Sequence, residues 1–282
     1  MALMARLNPF SKRPNTVAVL RLSGVIAAGS RGGLSDQGLA PLIEKAFRRG
    51  KPSAVALILN SPGGSPVQSA LIGARIRRLA EEKNVPVYAF VEDVAASGGY
   101  WLAAAADEIY VDRSSIVGSI GVISAGFGAQ DFIARHGIER RVHTAGKSKS
   151  MMDPFRPEKK EEVARLSGML EQIHDVFIDH VKTRRGSKLA EGEDLFTGEI
   201  WVGEKAIDAG LADAVGHLVP TMKEKFGEKV RFRRYDQRRS MWQRFGARVT
   251  QDALAGLGSG PTKSFTFPTC CDSFWGQRHR EW

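Results

Sequence analysis

Three glycine-bearing turns follow apolar runs in this chain, and they carry most of its reactive side chains. The first, Asn60-Ser-Pro-Gly-Gly-Ser65, comes after Ala54–Leu59. Paired glycines let a ligand approach the backbone closely, and a helix start presents unpaired N–H groups. A phosphate loop would end in Gly-Lys-Ser/Thr, which is missing here, so an oxyanion hole for a carbonyl is the better reading. The second turn is Ala95-Ala96-Ser97-Gly98-Gly99-Tyr100. Small neighbours leave room beside Ser97, and the Gly98 N–H would point where an attacked carbonyl oxygen becomes negative. A serine at this place is equally an N-cap. The third turn, Gly118-Ser119-Ile120-Gly121-Val122, offers a hydroxyl that can hold an amine or serve as an ordinary turn residue.

A nucleophilic serine needs a base. The six histidines (136, 143, 174, 180, 217 and 279) all lie outside the glycine turns, and each reads as a surface or half-buried residue. Gly146-Lys-Ser-Lys-Ser-Met-Met-Asp-Pro154 supplies two amines instead, with Met151 and Met152 as apolar cover. A lysine ordinarily titrates near pH 10.4, and burial lowers that by several units. By composition alone, Lys147 and Lys149 are two solvated loop charges.

The elements that must position these residues alternate in type. Thr16–Leu22, Ala54–Leu59, Val85–Val91 and Glu108–Asp112 read as strands, the second apolar enough to be buried on both faces. Leu39–Arg49, Pro66–Glu82 and Ala95–Ala106 read as helices between them, which predicts right-handed βαβ crossovers and an α/β core. Further on, Asp131–His136 is expected to be helical, 140–144 an edge strand, and Pro157–Arg185 a long amphipathic helix ended by Gly186. A helix of that length either packs on another subunit or caps its own sheet.

Composition narrows the class. Of 282 residues, 43% are hydrophobic and 26% charged, which is ordinary globular usage. The two cysteines, Cys270 and Cys271, are too few for a disulfide framework or a Cys-based zinc site, and no metal or cofactor is expected. The net charge of +10 sits at the ends: 1–15 carry +3 and 219–250 carry +7, leaving 16–218 neutral. No recognised nucleic-acid module accompanies this charge, so nucleic acid is not the expected partner. Asp236–Leu257 can form a basic helix with Met241, Trp242, Phe245 and Val249 on one side, suited to an anionic membrane surface or to a partner subunit. The expected division is a basic segment 1–15, a main domain 16–218, a basic helical tail 219–257 and a flexible end 258–282. The start lacks an apolar leader and no run is long enough to span a bilayer, so a cytoplasmic protein is expected, with peripheral contact at the inner membrane through 219–257.

Together the motifs resemble the signal peptide peptidase A (SppA/SohB-type) family of serine peptidases. The resemblance rests on Asn-Ser-Pro-Gly-Gly at 60–64, Ala-Ala-Ser-Gly-Gly-Tyr at 95–100, Gly-Ser-Ile-Gly-Val at 118–122 and Gly-x-x-Lys-x-x-Met-x-Pro at 146–154, with Phe196–Gly203 and Gly210–Asp213 as a closing motif. It covers about 16–218. It implies a crotonase-like (Clp-type) α/β fold of stacked βαβ units, with the long helix protruding, and a Ser/Lys dyad. Ser97 would be the nucleophile and Lys149 the base, with Lys147 the weaker candidate. Ser119 would orient the amine, and the N–H groups of Gly98 and Gly64, or Gly63 in place of Gly64, would bind the oxyanion. The resemblance further implies a ring or dome of identical subunits that complete one another's sites, acting on small or apolar peptide segments such as signal-peptide remnants. A crotonase-type acyl-CoA enzyme, a Clp-type Ser/His/Asp protease and a non-catalytic membrane-associated scaffold are the alternatives; Val122 stands where the Clp-type protease expects histidine.

Overall fold

A computed structural model describes residues 14–236, apart from 30–32, 147 and 193. The apolar runs become parallel strands: β1 (Thr16–Ser23), β2 (Ala54–Ser61) and β3 (Val87–Ala96). Side chains alternate across them. Ala18, Leu20, Leu22, Val55, Leu57 and Leu59 enter one core, and Val17, Val19, Ala54 and Ala56 enter a second on the opposite face. The sheet is therefore covered on both sides, as the continuous apolar runs predict.

The larger core is roofed by α1 (Asp36–Arg48), α2 (Pro66–Lys83), α3 (Gly98–Ala104) and the end of α5 (Lys160–Arg185). Local chemistry sets several boundaries. Ser35 caps α1 by accepting the Gly38 N–H, and Ser65 caps α2 by accepting the Gln68 N–H, with Pro66 in the first turn. Asn84, left-handed at φ 50°, ends α2. Past α3 the chain forms β4 (Glu108–Val111) and β5 (Ile116–Gly118), which pair with successive halves of β3. A short α4 (Gln130–Arg135) precedes α5. Then follow β6 (Ile200–Val202), α6 (Glu204–Asp208), β7 (Ala214–Val215), α7 (Leu218–Phe226) and β8 (Arg231–Tyr235). The sheet order is β6-β5-β3-β2-β1-β8, with β4 branching from β3 to β7, and β6 alone antiparallel to its neighbour.

Four expectations change. Residues 140–144 form no strand: Arg140 pairs with Asp153 and Arg141 with Glu139, and no neighbouring edge hydrogen-bonds the segment. Helix α5 starts at Lys160 instead of Pro157, and α3 is shorter than 95–106 because Ala95 and Ala96 complete β3. Residues 219–235, expected in a tail, belong to the folded domain: β8 pairs with β1, and Met222, Val230 and Tyr235 are buried. The expected helix beyond Asp236, the 258–282 segment, Lys147 and most of 1–15 lie outside the described residues. Among the described residues, no helix is long and apolar enough to cross a membrane.

Candidate active site

The glycine turns converge at the C-terminal ends of β2, β3 and β5. Ser97 occupies the corner between β3 and α3 with φ 50° and ψ −124°. For a residue with a Cβ this is strained, costing roughly 1–3 kcal/mol. The corner is held by backbone bonds: the Ser97 N–H donates to Gly118 O at 2.8 Å, and its carbonyl accepts from Tyr100 and Trp101 at 2.8 and 3.0 Å. Its hydroxyl makes no capping bond, which removes the simple N-cap reading. Tyr100 anchors the same helix from within the core, its hydroxyl donating to Leu211 O at 2.9 Å.

The neighbouring backbone supplies two donors. The N–H groups of Gly64 and Gly98 have no acceptor among the described residues, whereas that of Gly63 is taken by Ser61 Oγ at 3.2 Å. The two free donors are close, since a Cβ at 98 would stand 3.4 Å from Gly64 N. It would also overlap Ser69 Oγ, so position 98 must be glycine. Of the two expected partners for Gly98, Gly64 is the one whose N–H has no acceptor among the described residues. Free N–H groups in a helix first turn suit a developing negative oxygen.

Ser119 lies beside Ser97, because Ala96 and Gly118 are partners in the β3–β5 register. It too has positive φ, 52°, and its N–H donates to Glu199 O at 2.6 Å. A cavity of about 200 Å³ opens at Ser97, walled by Trp101, Val122, Ile123, Ile173 and Phe177. From the sequence, Ile173 and Phe177 read only as a helix face and Trp101 as part of a small-residue helix. His174 fastens α5 to this rim, its Nε2–H donating to Ile120 O at 2.9 Å.

Lys149 is placed differently. It is exposed, in a turn next to Ser148, whose Oγ accepts from Arg165 of α5 at 2.8 Å. The cavity meets α5 at Ile173, eight residues further on, about 12 Å along the helix. A single chain thus brings together Ser97, Gly64 and Gly98 at the cavity, with Gly63 and Ser119 adjoining them, and Lys149 is not among the residues lining it. Between Val122 and Lys159 no described residue is buried as a whole, although the Asp153 side chain is covered beside Arg140, and Ile123, Phe127, Phe132 and Ile138 are exposed.

A second cavity, of about 340 Å³, lies towards the α7 face of the sheet among Phe90, Glu92, Asp93, Asp112 and His217. Its carboxylates are already engaged, Glu92 by Arg21, Asp93 by Asn60 and Asp112 by His217. It borders the start of the first glycine turn through Asn60, but Ser97 is not among its lining residues. Among the described residues no three His, Cys, Asp or Glu side chains cluster to hold a metal ion.

Away from the site, Arg185 is buried against Asp213, which also accepts from Lys188 and from the Ile109 N–H. Burial alone would raise the Asp213 carboxyl, but these hydrogen bonds outweigh it and hold it below its usual range. The closing motif therefore locks the end of α5 to β4.

Similarity to known proteins agrees with this arrangement. The profile of Peptidase family S49 matches residues 79–229. A Brucella melitensis protein named Na(+)/H(+) antiporter NhaA is 47% identical over 244 residues, covering 85% of this chain and 33% of that one. The chloroplastic serine protease SPPA of Arabidopsis thaliana is 35% identical over 210 residues, covering 72% of this chain and 31% of that one. The chain thus spans about a third of the length of these curated relatives. Among solved structures, a mutant of the 1510-N membrane-bound stomatin-specific protease superposes with a TM-score of 0.50 at 16% identity, covering 79% of this chain and 98% of that one, which supports the expected Clp-type fold.

Proposed function

The chain belongs to peptidase family S49, and on that premise we propose that it is a serine endopeptidase with a Ser97/Lys149 dyad. Neutral Lys149 takes the Ser97 proton as Oγ attacks the peptide carbonyl. The Gly64 and Gly98 N–H groups receive the oxyanion, and Lys149 returns the proton to the leaving amine. Water, deprotonated by the same amine, then hydrolyses the acyl-enzyme and frees Ser97. Ser119 orients the amine. One observation carries the reading: Ser97 is held in a strained corner, and neither its hydroxyl nor the two backbone donors beside it has a hydrogen-bond partner among the described residues.

Lys149 reaches this site from a second copy of the chain. Its exposure, the tie of its turn to Arg165 of α5 and the exposed apolar side chains Ile123, Phe127, Phe132 and Ile138 support an assembly that completes each site between subunits. The apolar cavity walls favour small or apolar segments, of which signal-peptide remnants are one class. Ion transport, named for the Brucella relative, is not assigned to this chain: the match covers a third of that protein, and the described residues contain no membrane-crossing helix. Peripheral contact of the basic tail with anionic lipid is a further part of the proposal, tested by liposome flotation with and without 237–282.

Hydrolysis of an apolar fluorogenic peptide tests the dyad. Ser97→Ala and Lys149→Ala are each expected to be inactive, and co-assembly of the two variants is expected to regain activity by pairing an intact serine with an intact lysine. Unchanged turnover by Lys149→Ala would refute the base assignment.

A further inference from the structure

We infer that His180 is a positioning residue that holds the Trp101 indole as a wall of the cavity beside Ser97 and thereby sets the size of substrate side chain accepted there. This rests on the peptidase reading above. Trp101 follows Ser97 by four residues, one turn along α3, and its N–H donates to Ser97 O. It is buried yet contributes to the cavity lining. Two rings of α5 pack against the indole. The His180 ring lies parallel to it, 4.4 Å between centroids and 7° between planes. Phe177, one turn earlier on α5, packs against it at 5.0 Å and 31°. Across from them Gly73 of α2 leaves the slot, since a Cβ there would stand 3.3 Å from indole Cδ1 and Nε1.

His180 also grips the backbone of the same residue, with Nε2 3.1 Å from Trp101 O. A carbonyl only accepts, so Nε2 carries the proton. Burial lowers the imidazole pKa, the carbonyl bond acts in the opposite sense, and nearby Arg184 lowers it further, so the ring is neutral at pH 7. Arg184, the next turn of α5, fastens the end of α3 through Ala104 O and Ala106 O, each at 3.0 Å. With the backbone held twice, the stack sets the remaining freedom of the indole. Removing it lets the indole tilt into the vacated space and widens the cavity.

The test uses the full chain with His180→Ala, His180→Gln and His180→Phe, assayed on peptides with Ala, Leu or Phe before the scissile bond. His180→Ala and His180→Gln, which lose the stack, are expected to shift kcat/KM towards the larger residue by about tenfold or more. His180→Phe keeps the stack, loses the carbonyl bond and is expected to retain the parent preference. Trp101→Phe, which shortens the wall without altering α5, is expected to shift preference in the same direction as His180→Ala. A uniform loss across all substrates in the His180 variants, or an unshifted preference in Trp101→Phe, would overturn the inference. If the folded parent cleaves none of the peptides, the peptidase reading fails first, and the inference with it.

Discussion

Ser97 and Gly203 stand at two corners of the same design, each between a strand and the first turn of a helix. Their backbones nearly coincide, at φ 50° and ψ −124° for Ser97 and φ 50° and ψ −116° for Gly203. At 203 the chain uses the residue that adopts this conformation freely, and a Cβ there would overlap the Arg113 carbonyl. At 97 it keeps a side chain despite the strain. On the proposed reading, the difference separates a corner built for packing from one that presents a hydroxyl.

The comparison is broken most sharply by exchanging what each corner holds. Ser97→Ala should lower peptide hydrolysis by about 10⁴-fold or more while the fold survives, as measured by initial rates and far-ultraviolet circular dichroism. Retained hydrolysis would make the two corners equivalent. Gly203→Ala should do the reverse, destabilising the domain by about 3–4 kcal/mol in urea titration, because positive φ and overlap with Arg113 add. Activity per folded molecule should be little changed.

Asp213→Asn tests the other end of the framework. Removing the charge facing buried Arg185 should cost about 3 kcal/mol. Because the folded Asp213 carboxyl titrates below its unfolded value, near 3.9, its contribution is present above that value and is lost as pH falls through the folded one. The melting temperature of the parent should therefore drop more steeply than that of Asp213→Asn below about pH 4. The smallest expected effect is the most specific to the comparison. Ser97→Gly should raise stability by about 1 kcal/mol, as strain relief exceeds the added freedom of the unfolded chain, while remaining inactive.

Where apolar residues formed unbroken runs, the fold was legible in the sequence. Ala54–Leu59 and Val87–Val91, and Val17–Leu22 apart from the exposed Arg21, read as central strands, and the helices between them follow from their spacing. Strand β8 was hidden because three of its five residues are arginines; an edge strand can keep these in solvent, so its charge pattern reads as a tail. The 140–144 segment erred the other way: its composition allows a strand, but pairing is a tertiary event and no edge lies beside it.

At the site, residue types and glycine spacing marked Ser97, Ser119, Gly64 and Gly98, because close backbone approach demands glycine at a few fixed points. The Ser97 backbone angles had no sequence signal. Nor did the Trp101–His180 stack, which joins residues 79 positions apart through α3 and α5; the only trace was that His180 follows Phe177 by three residues on the same helix face. Lys149 was singled out by the family resemblance and not by its composition, and a single chain leaves it in solvent.

The central claim, that the Ser97 hydroxyl is a nucleophile, is tested most directly by reacting the intact chain with a fluorophosphonate and locating the adduct by mass spectrometry. The account predicts one adduct, on the peptide that contains Ser97, and none in Ser97→Ala. An enzyme that cleaves peptides yet carries its adduct on a different residue would contradict it.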